Sequence, residues 1–512
     1  MGLSTDQRTD TPDTPSLPYL DLIEDWQRIE DLRGGTRAMR AGPYLPRVKN
    51  EKAAEYEARI SRAFLTEMYA DTVSDLVAMP FREFVRVENL PPRLAFLEGD
   101  VDGRGTSLTA FAAGMLTDMI DYGLAHGFVD FSTVPENVVG PRPASIAAEA
   151  QRGARPLFQR WKPSSVIAWR LNDADRPEVV RIKETAYRPK DGSMFLDEAV
   201  KLVRQWTPET YTTFRMLDEA PHGKPAYEVE ESAELRARGQ TLAAVFGGLP
   251  HVVAYANQTG PFQAVPALRA LAEVNIAHFQ TDADMRNALR VAAFAILTVK
   301  GWQRQIEQTD DGDEEEFPAP APTNVYLLEA DGEVKFAEHT GASISASRET
   351  IKDLETRGER LGAQPVARES AAKTATGANI DETRNMSQLE AWVRELEGAL
   401  RRMFEYAAAW VGVTLPESFA VRIFDEFTTE DRSTESLNLL TGLWEKHAFP
   451  TRELLAKLQR AGHLPDSVDV DALAAEIDRA REERAEVMRD AVADPDLEGE
   501  PAEEPEDPAE AA

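Results

Sequence analysis

Apolar residues recur along the chain with two periods, and the switch between them lays out the architecture. In "NEKAAEYEARISRAFLTEMYADTVSDLVAM" (50–79), Tyr56, Ile60, Phe64 and Leu76 stand four residues or multiples of four apart, which predicts one helix stopped by Pro80. After the turn-like "EGDVDGRGTSL" a second helix is predicted over "LTAFAAGMLTDMIDYGLAHG", with Gly127 as its cap. The period then changes. "SVIAWRLND", "EVVRIKETAYR", "AVKLVRQW" and "TYTTFRML" are short, rich in β-branched and aromatic residues, and bounded by Pro, Asp and Gly. They predict an antiparallel sheet, with "LPHVVAYANQTG" as one more strand.

From Pro266 the helical period returns for about 30 residues, with Met285, Leu289, Ala292 and Ile296 as one packing stripe. An acidic, proline-laced break follows, "TDDGDEEEFPAPAPTN". "VYLLEA" and "EVKFAEH", joined by Asp-Gly, predict a hairpin. "SRETIKDLETRGERLG" is a helix, and "AQPVARESAAKTATGANIDE" has no apolar period. The clearest stripe lies between 384 and 412: Leu389, Trp392, Leu396, Leu400, Met403, Ala407 and Trp410. "AVRIFDEF" reads as a strand, two more helices fall near 433–461 and 469–490, and the acidic tail from 491 reads as disordered. Residues 1–45, rich in Pro, Asp and Thr, read as an extended arm. The class is α+β, mainly helical with an antiparallel sheet.

Composition narrows the function. A chain of 512 residues has room for several packed units. Its formal charge of −32 argues against a tight grip on nucleic acid, which needs a basic face. With no cysteine, disulfide scaffolds, zinc knuckles, iron–sulfur clusters and thiol nucleophiles drop out. The first residues carry no apolar signal core, and no membrane span is expected.

Candidate chemistry fails on geometry. His278, Asp282 and Asp284 share one helix, where His278 and Asp282 lie on one side and Asp284 nearly opposite, so they cannot gather on a metal. Asp282 and Arg286 have the order and spacing of a surface ion pair. The loop at Glu98, Asp100, Asp102 and Gly103 resembles a calcium loop for six positions, then offers Thr109 where a bidentate glutamate is needed. The acidic run 310–316 reads as a solvated loop, and no phosphate-binding glycine loop, nucleophile elbow or zinc-protease motif is present. No catalytic, cofactor-binding or metal residue is expected.

The order of elements resembles the portal proteins of tailed bacteriophages, the head-to-tail connector rings. The stretches that carry the likeness are "YEARISRAFLTEMYADTVSDLVAMPF", "SSVIAWRLND" with "VVRIKETA", "PALRALAEVNIAHFQTDADMRNALRVAAFAILTVKG" and "AKTATGANIDETRNMSQLEAWVRELEGALRRMFEYAAAWVG". They run from about residue 50 to 415; the arm before 45 and everything past Asp431 match poorly. The resemblance implies a homo-oligomeric ring of about twelve, without enzymatic activity, at one capsid vertex of a virion assembled in the host cytoplasm. It implies a wing from 46–265 and 384–430, stem helices at 266–293 and 345–362, a clip at 294–344, a tunnel loop at 363–383, a crown at 431–490 and a disordered tail at 491–512. Double-stranded DNA would pass during packaging and ejection. The large terminase motor, a head–tail adaptor, the major capsid protein and a scaffolding protein are the partners it implies.

On that mapping Arg368, Ser370, Lys373, Thr374 and Thr376 of the tunnel loop would face DNA, although a plain linker has the same residue chemistry. Met285, Leu289, Ala292 and Ile296 would pack the stem, and Leu389, Trp392, Leu396, Leu400 and Met403 the wing helix. A stem helix of about 28 residues would be about 42 Å long, a wall suited to a duplex. Repeated around a ring, the −32 charge predicts an acidic or neutral lumen with isolated basic contacts. Another capsid or connector component shares the acidity, and a cytoplasmic enzyme with scattered carboxylates is the third reading.

Overall fold

The computed structural model describes residues 10–49, 51–131, 155–190, 193–217, 226–292, 296–300, 333–337, 342–364 and 387–424, and in a second unit 441–442, 444–445, 450–460, 464 and 468–492. The chain divides into Met1–Phe427 and Thr428–Ala512.

The first unit opens with α1 (Leu17–Arg33) and α2 (Gly35–Ala41), where an extended arm is expected. The averaged composition hides an amphipathic stripe. Trp26, Ile29 and Leu32 are buried on one face of α1, and Pro18 sits at its start, where a missing N–H costs nothing. Trp26 Nε1 donates to the Tyr122 carbonyl (3.0 Å) and the Tyr19 hydroxyl to the Ser164 carbonyl (2.7 Å).

The predicted helix over 50–79 is two, α3 (Ala53–Arg62) and α4 (Met68–Ala78). Between them Ala63 and Leu65 are buried while Phe64 is exposed, an alternation of two that belongs to extended chain. After β1 (Arg86–Glu88) and α5 (Phe96–Gly99) comes α6 (Leu108–Tyr122), capped by the Ser107 hydroxyl. Its C-cap is Gly123 rather than Gly127: φ is +81°, and a Cβ there would lie 2.2 Å from the Val265 carbonyl oxygen. Gly127 instead sits in strand β2 (Leu124–Phe131), facing Met403.

β2 is the middle of a three-stranded antiparallel sheet, between β3 (Pro156–Trp161) and a later strand, His251–Tyr255. The second sheet is a meander, β4 (Val166–Leu171), β5 (Pro177–Pro189), β6 (Asp197–Trp206), β7 (Thr210–Leu217) and β8 (Ala226–Glu234), antiparallel and in sequence order. One face, with Val203 and Phe214, packs with Tyr19 and Trp26 of α1. The other, with Val180, Ile182 and Trp206, packs on α7 (Leu242–Phe246). The short ladder β9 (Arg236–Ala237) with β10 (Gln240–Thr241) precedes α7; β11 (His251–Tyr255), β12 (Gln258–Gly260) and β13 (Gln263–Ala264) follow it.

Next come α8 (Arg269–Ala292), β14 (Ile296–Lys300), β15 (Glu333–Ala337) and α9 (Ala342–Ala363). α10 (Gln388–Val411) opens with a complete capping box from Ser387 and Glu390, and closes on Gly412 in the left-handed region. Leu389, Trp392, Leu396, Leu400 and Met403 are all buried along it, in the core it shares with α6 and the three-stranded sheet. β16 (Ala420–Arg422) then returns to pair with β1. In the second unit, α11 (Thr451–Arg460) and α12 (Val470–Val492) are tied by Arg452–Asp471 (2.6 Å), and Arg481 lies 4.0 Å over the Trp444 ring. α12 includes the first two residues of the predicted tail; the rest lies outside the described residues.

Candidate functional site

The feature that stands apart from the two sheets is the pair α8 and α9. Along α9 the less exposed positions are Ile344, Ser347, Ile351, Leu354, Gly358 and Leu361, alternately three and four apart, with Gly362 beside them. That is a narrow seam. Most of it lies on α8, where His278 Nε2 stands 3.4 Å from Glu355 Oε1 and a Cβ on Gly358 would meet Leu271 and Val274; at its end it also touches α4, where Cβ atoms on Gly358 and Gly362 would meet Met68 and Thr72. Rising numbers on α8 meet falling numbers on α9, so the helices are antiparallel. β14 and β15 continue the pair as an antiparallel ladder from Ile296↔Ala337 to Lys300↔Glu333.

This corrects one expectation. Ile296 belongs to β14, not to the helical stripe, because α8 ends at Ala292 and is about 36 Å long from its 24 residues. Met285, Leu289 and Ala292 are half-buried on its last turns. The described partner of "EVKFA" is Ile296–Lys300, while "VYLLEA" lies outside the described residues. Arg368, Ser370, Lys373, Thr374 and Thr376 also lie outside them.

The two helices are held unequally. α8 buries Leu271, Ala272, Val274, Asn275, His278, Phe279, Asp282 and Ala283, with Leu271, Val274 and His278 reaching α9 and the rest on the body side. Asn275 is fully buried: its Oδ1 accepts the Tyr69 N–H (3.0 Å) and its Nδ2 donates to the Thr66 carbonyl (2.8 Å). It thereby caps α4 from another helix, since Glu67 at the N-cap makes no side-chain cap bond. A polar residue inside an apolar stripe was its only sequence signal. Asp282 pairs with Arg286 (2.5 Å), while Asp284 faces away, 3.7 Å from Arg59. α9, by contrast, exposes most of its circumference. Its exposed positions carry Arg348, Lys352, Arg357 and Arg360 with Glu349, Asp353, Glu355 and Glu359, four charges of each sign.

Two buried polar centres lie elsewhere. On α6, Asp118 faces Arg160 (3.2 Å), and Asp121 meets Arg33 (3.1 Å) and the Tyr69 hydroxyl (3.1 Å). Burial pushes Asp118 up to about 7 and Asp121 up to about 6, against the pull of those arginines. In the three-stranded sheet His126 Nδ1 and His251 Nε2 are 3.1 Å apart among Phe128, Trp161 and Phe262. Burial drives His126 down to about 3 and His251 well below its ordinary value. Raised carboxyls and lowered imidazoles suit acid–base work when a cleft exposes them. Here all four side chains are packed in the core, where they join α1, α4, α6 and the strands.

The acidic loop after α5 spends its carboxylates internally. Asp100 Oδ1 accepts from the Gly103 and Gly105 N–H groups, Asp102 Oδ1 from Arg104, and Arg155 closes on Asp100. Among the described residues no three acids or histidines converge to hold a metal ion, and no helix is long and apolar enough to cross a membrane. A cleft between α1 and α8, lined by Arg28, Ile29 and Glu273, has about 10 Å³, room for one water.

Residues 267–411 match a family described as a domain of unknown function (DUF4055). The match begins just before α8 and ends with α10. No curated protein matches the chain. Among solved structures, a chain in the virion of the native gene transfer agent (GTA) particle is similar at 12% identity and a TM-score of 0.35, over 84% of this chain and 95% of that one. A chain in the neck of the native GTA particle, computed with C12 symmetry, is similar at 12% identity and 0.33, over 79% and 88%. One in the neck of the empty particle, computed with C6 symmetry, gives 10% and 0.35, over 74% and 85%.

Proposed function

We propose that this chain is a portal-type subunit of a phage-like particle. About twelve copies form a ring at one capsid vertex of a virion, where head meets neck. The ring is a conduit for double-stranded DNA in packaging and ejection, and a platform for a packaging motor, a head–tail adaptor and the capsid shell. It performs no bond chemistry.

The observation that carries the reading is the antiparallel pair α8–α9 with its terminal ladder β14–β15. α8 is anchored on a mixed helix-and-sheet body, while α9 hangs on one narrow seam. A helix exposed around most of its circumference is completed by neighbours, and a ring supplies identical neighbours on both sides. The balanced charge along α9 suits a wall that lets phosphates pass: four cations interspersed with four anions give a duplex no continuous belt to hold. The order sheet, helix, insertion, helix and amphipathic α10 is the order by which the sequence resembles portal proteins.

Negative-stain electron microscopy of the purified chain, with sedimentation over a range of salt and concentration, tests the proposal. Rings with a central hole support it. Uniform monomers of 56.8 kDa under every condition refute it.

A further inference from the structure

One surface runs against the charge of the whole molecule. Between Leu32 and Thr66 eight bases stand against three acids, in a chain where 89 acids outnumber 57 bases. The folded structure also holds two neighbouring carboxylates: Glu51 accepts from the Val48 N–H (3.0 Å) and from Arg59 (2.9 Å), and Asp282 holds Arg286, while Asp284, 3.7 Å from the same Arg59, stays exposed. Lys49, Lys52 and Arg62 are exposed and have no ion pair among the described residues.

These cations flank exposed apolar side chains. Val48 is 63% exposed and Phe64 53%. The surface is continuous, because Arg59 ties together Pro46, Glu51 and Asp284, and Arg286, two residues on, reaches over the Phe64 ring. Its frame is fixed as well: Arg47 binds the Glu51 carbonyl (2.7 Å), Arg40 the Ala63 carbonyl (2.8 Å), and Gln280 of α8 the Tyr44 carbonyl (2.8 Å).

We infer that the face formed by Val48, Lys49, Lys52, Arg62, Phe64 and Arg286 docks a short acidic segment of a partner protein, one with clustered carboxylates and an aromatic side chain. Charge complementarity selects the carboxylates, and the exposed Val48 and Phe64 select the apolar group. The length follows from α3, whose 10 residues span about 15 Å, the reach of roughly five residues of extended chain. A DNA duplex fits this face less well. It would bring a long row of phosphates into the field of a −32 chain, with Glu55 and Glu57 standing among the cations. A short segment feels only the charges within a screening length of about 10 Å.

The test is fluorescence anisotropy of a labelled twelve-residue peptide bearing five carboxylates and one phenylalanine, titrated with the full chain. We expect binding that weakens about tenfold when Lys49→Glu, Lys52→Glu and Arg62→Glu are combined, and about fivefold for Phe64→Ser. Replacing the peptide phenylalanine with alanine gives a similar loss to Phe64→Ser. All four changes are on exposed side chains, and circular dichroism confirms that each variant is folded. Equal binding by the triple variant overturns the inference. So does competition by duplex DNA at the same phosphate-to-carboxylate ratio. A changed sedimentation of the chain itself in the triple variant also overturns it, since the face would then join copies of this protein.

Discussion

Asn275 is where the body grips the candidate wall helix, and replacing it with alanine gives a quantitative test. The change strips the Tyr69 N–H of its acceptor inside a fully buried site, which costs about 1–3 kcal/mol. The bond to the Thr66 carbonyl is worth about 1 kcal/mol, and the small void adds about 1 more. Their sum is about 3–5 kcal/mol, with some relief because Thr66 is solvent-exposed and water can reach its carbonyl. Urea unfolding followed by tryptophan fluorescence reports the first unit, since Trp444 is the one tryptophan in the second. The control is Asn287→Ala on the same helix, half-buried and without a hydrogen bond of this kind, expected within about 0.5 kcal/mol of the parent. If Asn275→Ala unfolds at the same urea concentration as Asn287→Ala, the cap from α8 to α4 contributes nothing and the account of how α8 is anchored fails.

Three further outcomes follow from the buried polar groups and the seam. Gly123→Ala should cost about 3 kcal/mol or more, because it adds a Cβ at φ +81° against the Val265 carbonyl; an unchanged thermal midpoint would contradict the cap geometry. Between about pH 4 and 7 the native state keeps protons on Asp118 and Asp121 that the unfolded chain releases, so their contribution falls as pH rises; the lowered His126 acts oppositely, its contribution being lost as pH falls below about 6.5. In Asp118→Asn the histidine contribution should dominate, and urea midpoints taken from pH 5 to about 7.5 should climb more steeply with pH than in the parent; a flatter curve refutes the assignment. Ile351→Asp in the middle of the α9 seam should cost about 2 kcal/mol by the same urea assay, and no loss would mean that α9 does not rest on α8 through this stripe.

What the sequence showed depended on whether burial left a period in it. α10 is buried on one broad face, so its stripe from Leu389 to Met403 stands out. β4 to β7 carry apolar residues on faces covered by α1 and α7, and their runs are legible for that reason. β8 is an edge strand exposed on both faces, and "AYEVEESAE" has no alternation to read. α1 was hidden by Asp, Pro and Thr around it, though Trp26, Ile29 and Leu32 carry its packing. The break at 63–67 depends on Asn275, more than 200 positions away in the chain, and no local window contains that partner. Gly123 and Gly127 both follow helical text; only the approach of Val265 decides between them. At the candidate site the two helices were visible, while their unequal burial was not, because it depends on what else packs against each.

That inequality makes hydrogen exchange the sharpest test of assembly. α8 buries eight side chains, most of them against the body, and shares its local stability. α9 has four apolar side chains in its seam, Ile344, Ile351, Leu354 and Leu361, three of them only half-buried, and it carries Gly358 and Gly362, each costing about 1 kcal/mol relative to alanine. Even a helix of 22 residues draws most of its stability from tertiary packing. In the free subunit the amides of α9 should open about 2 kcal/mol more easily than those of α8, so they exchange roughly thirtyfold faster. In a ring the neighbours cover the outer face, and α9 should slow towards the rate of α8 while α8 itself changes little. Rings in which α9 exchanges as fast as in the free subunit would place the subunit contacts elsewhere. Equal protection of the two helices before assembly would remove the reason for assigning neighbours to α9 at all.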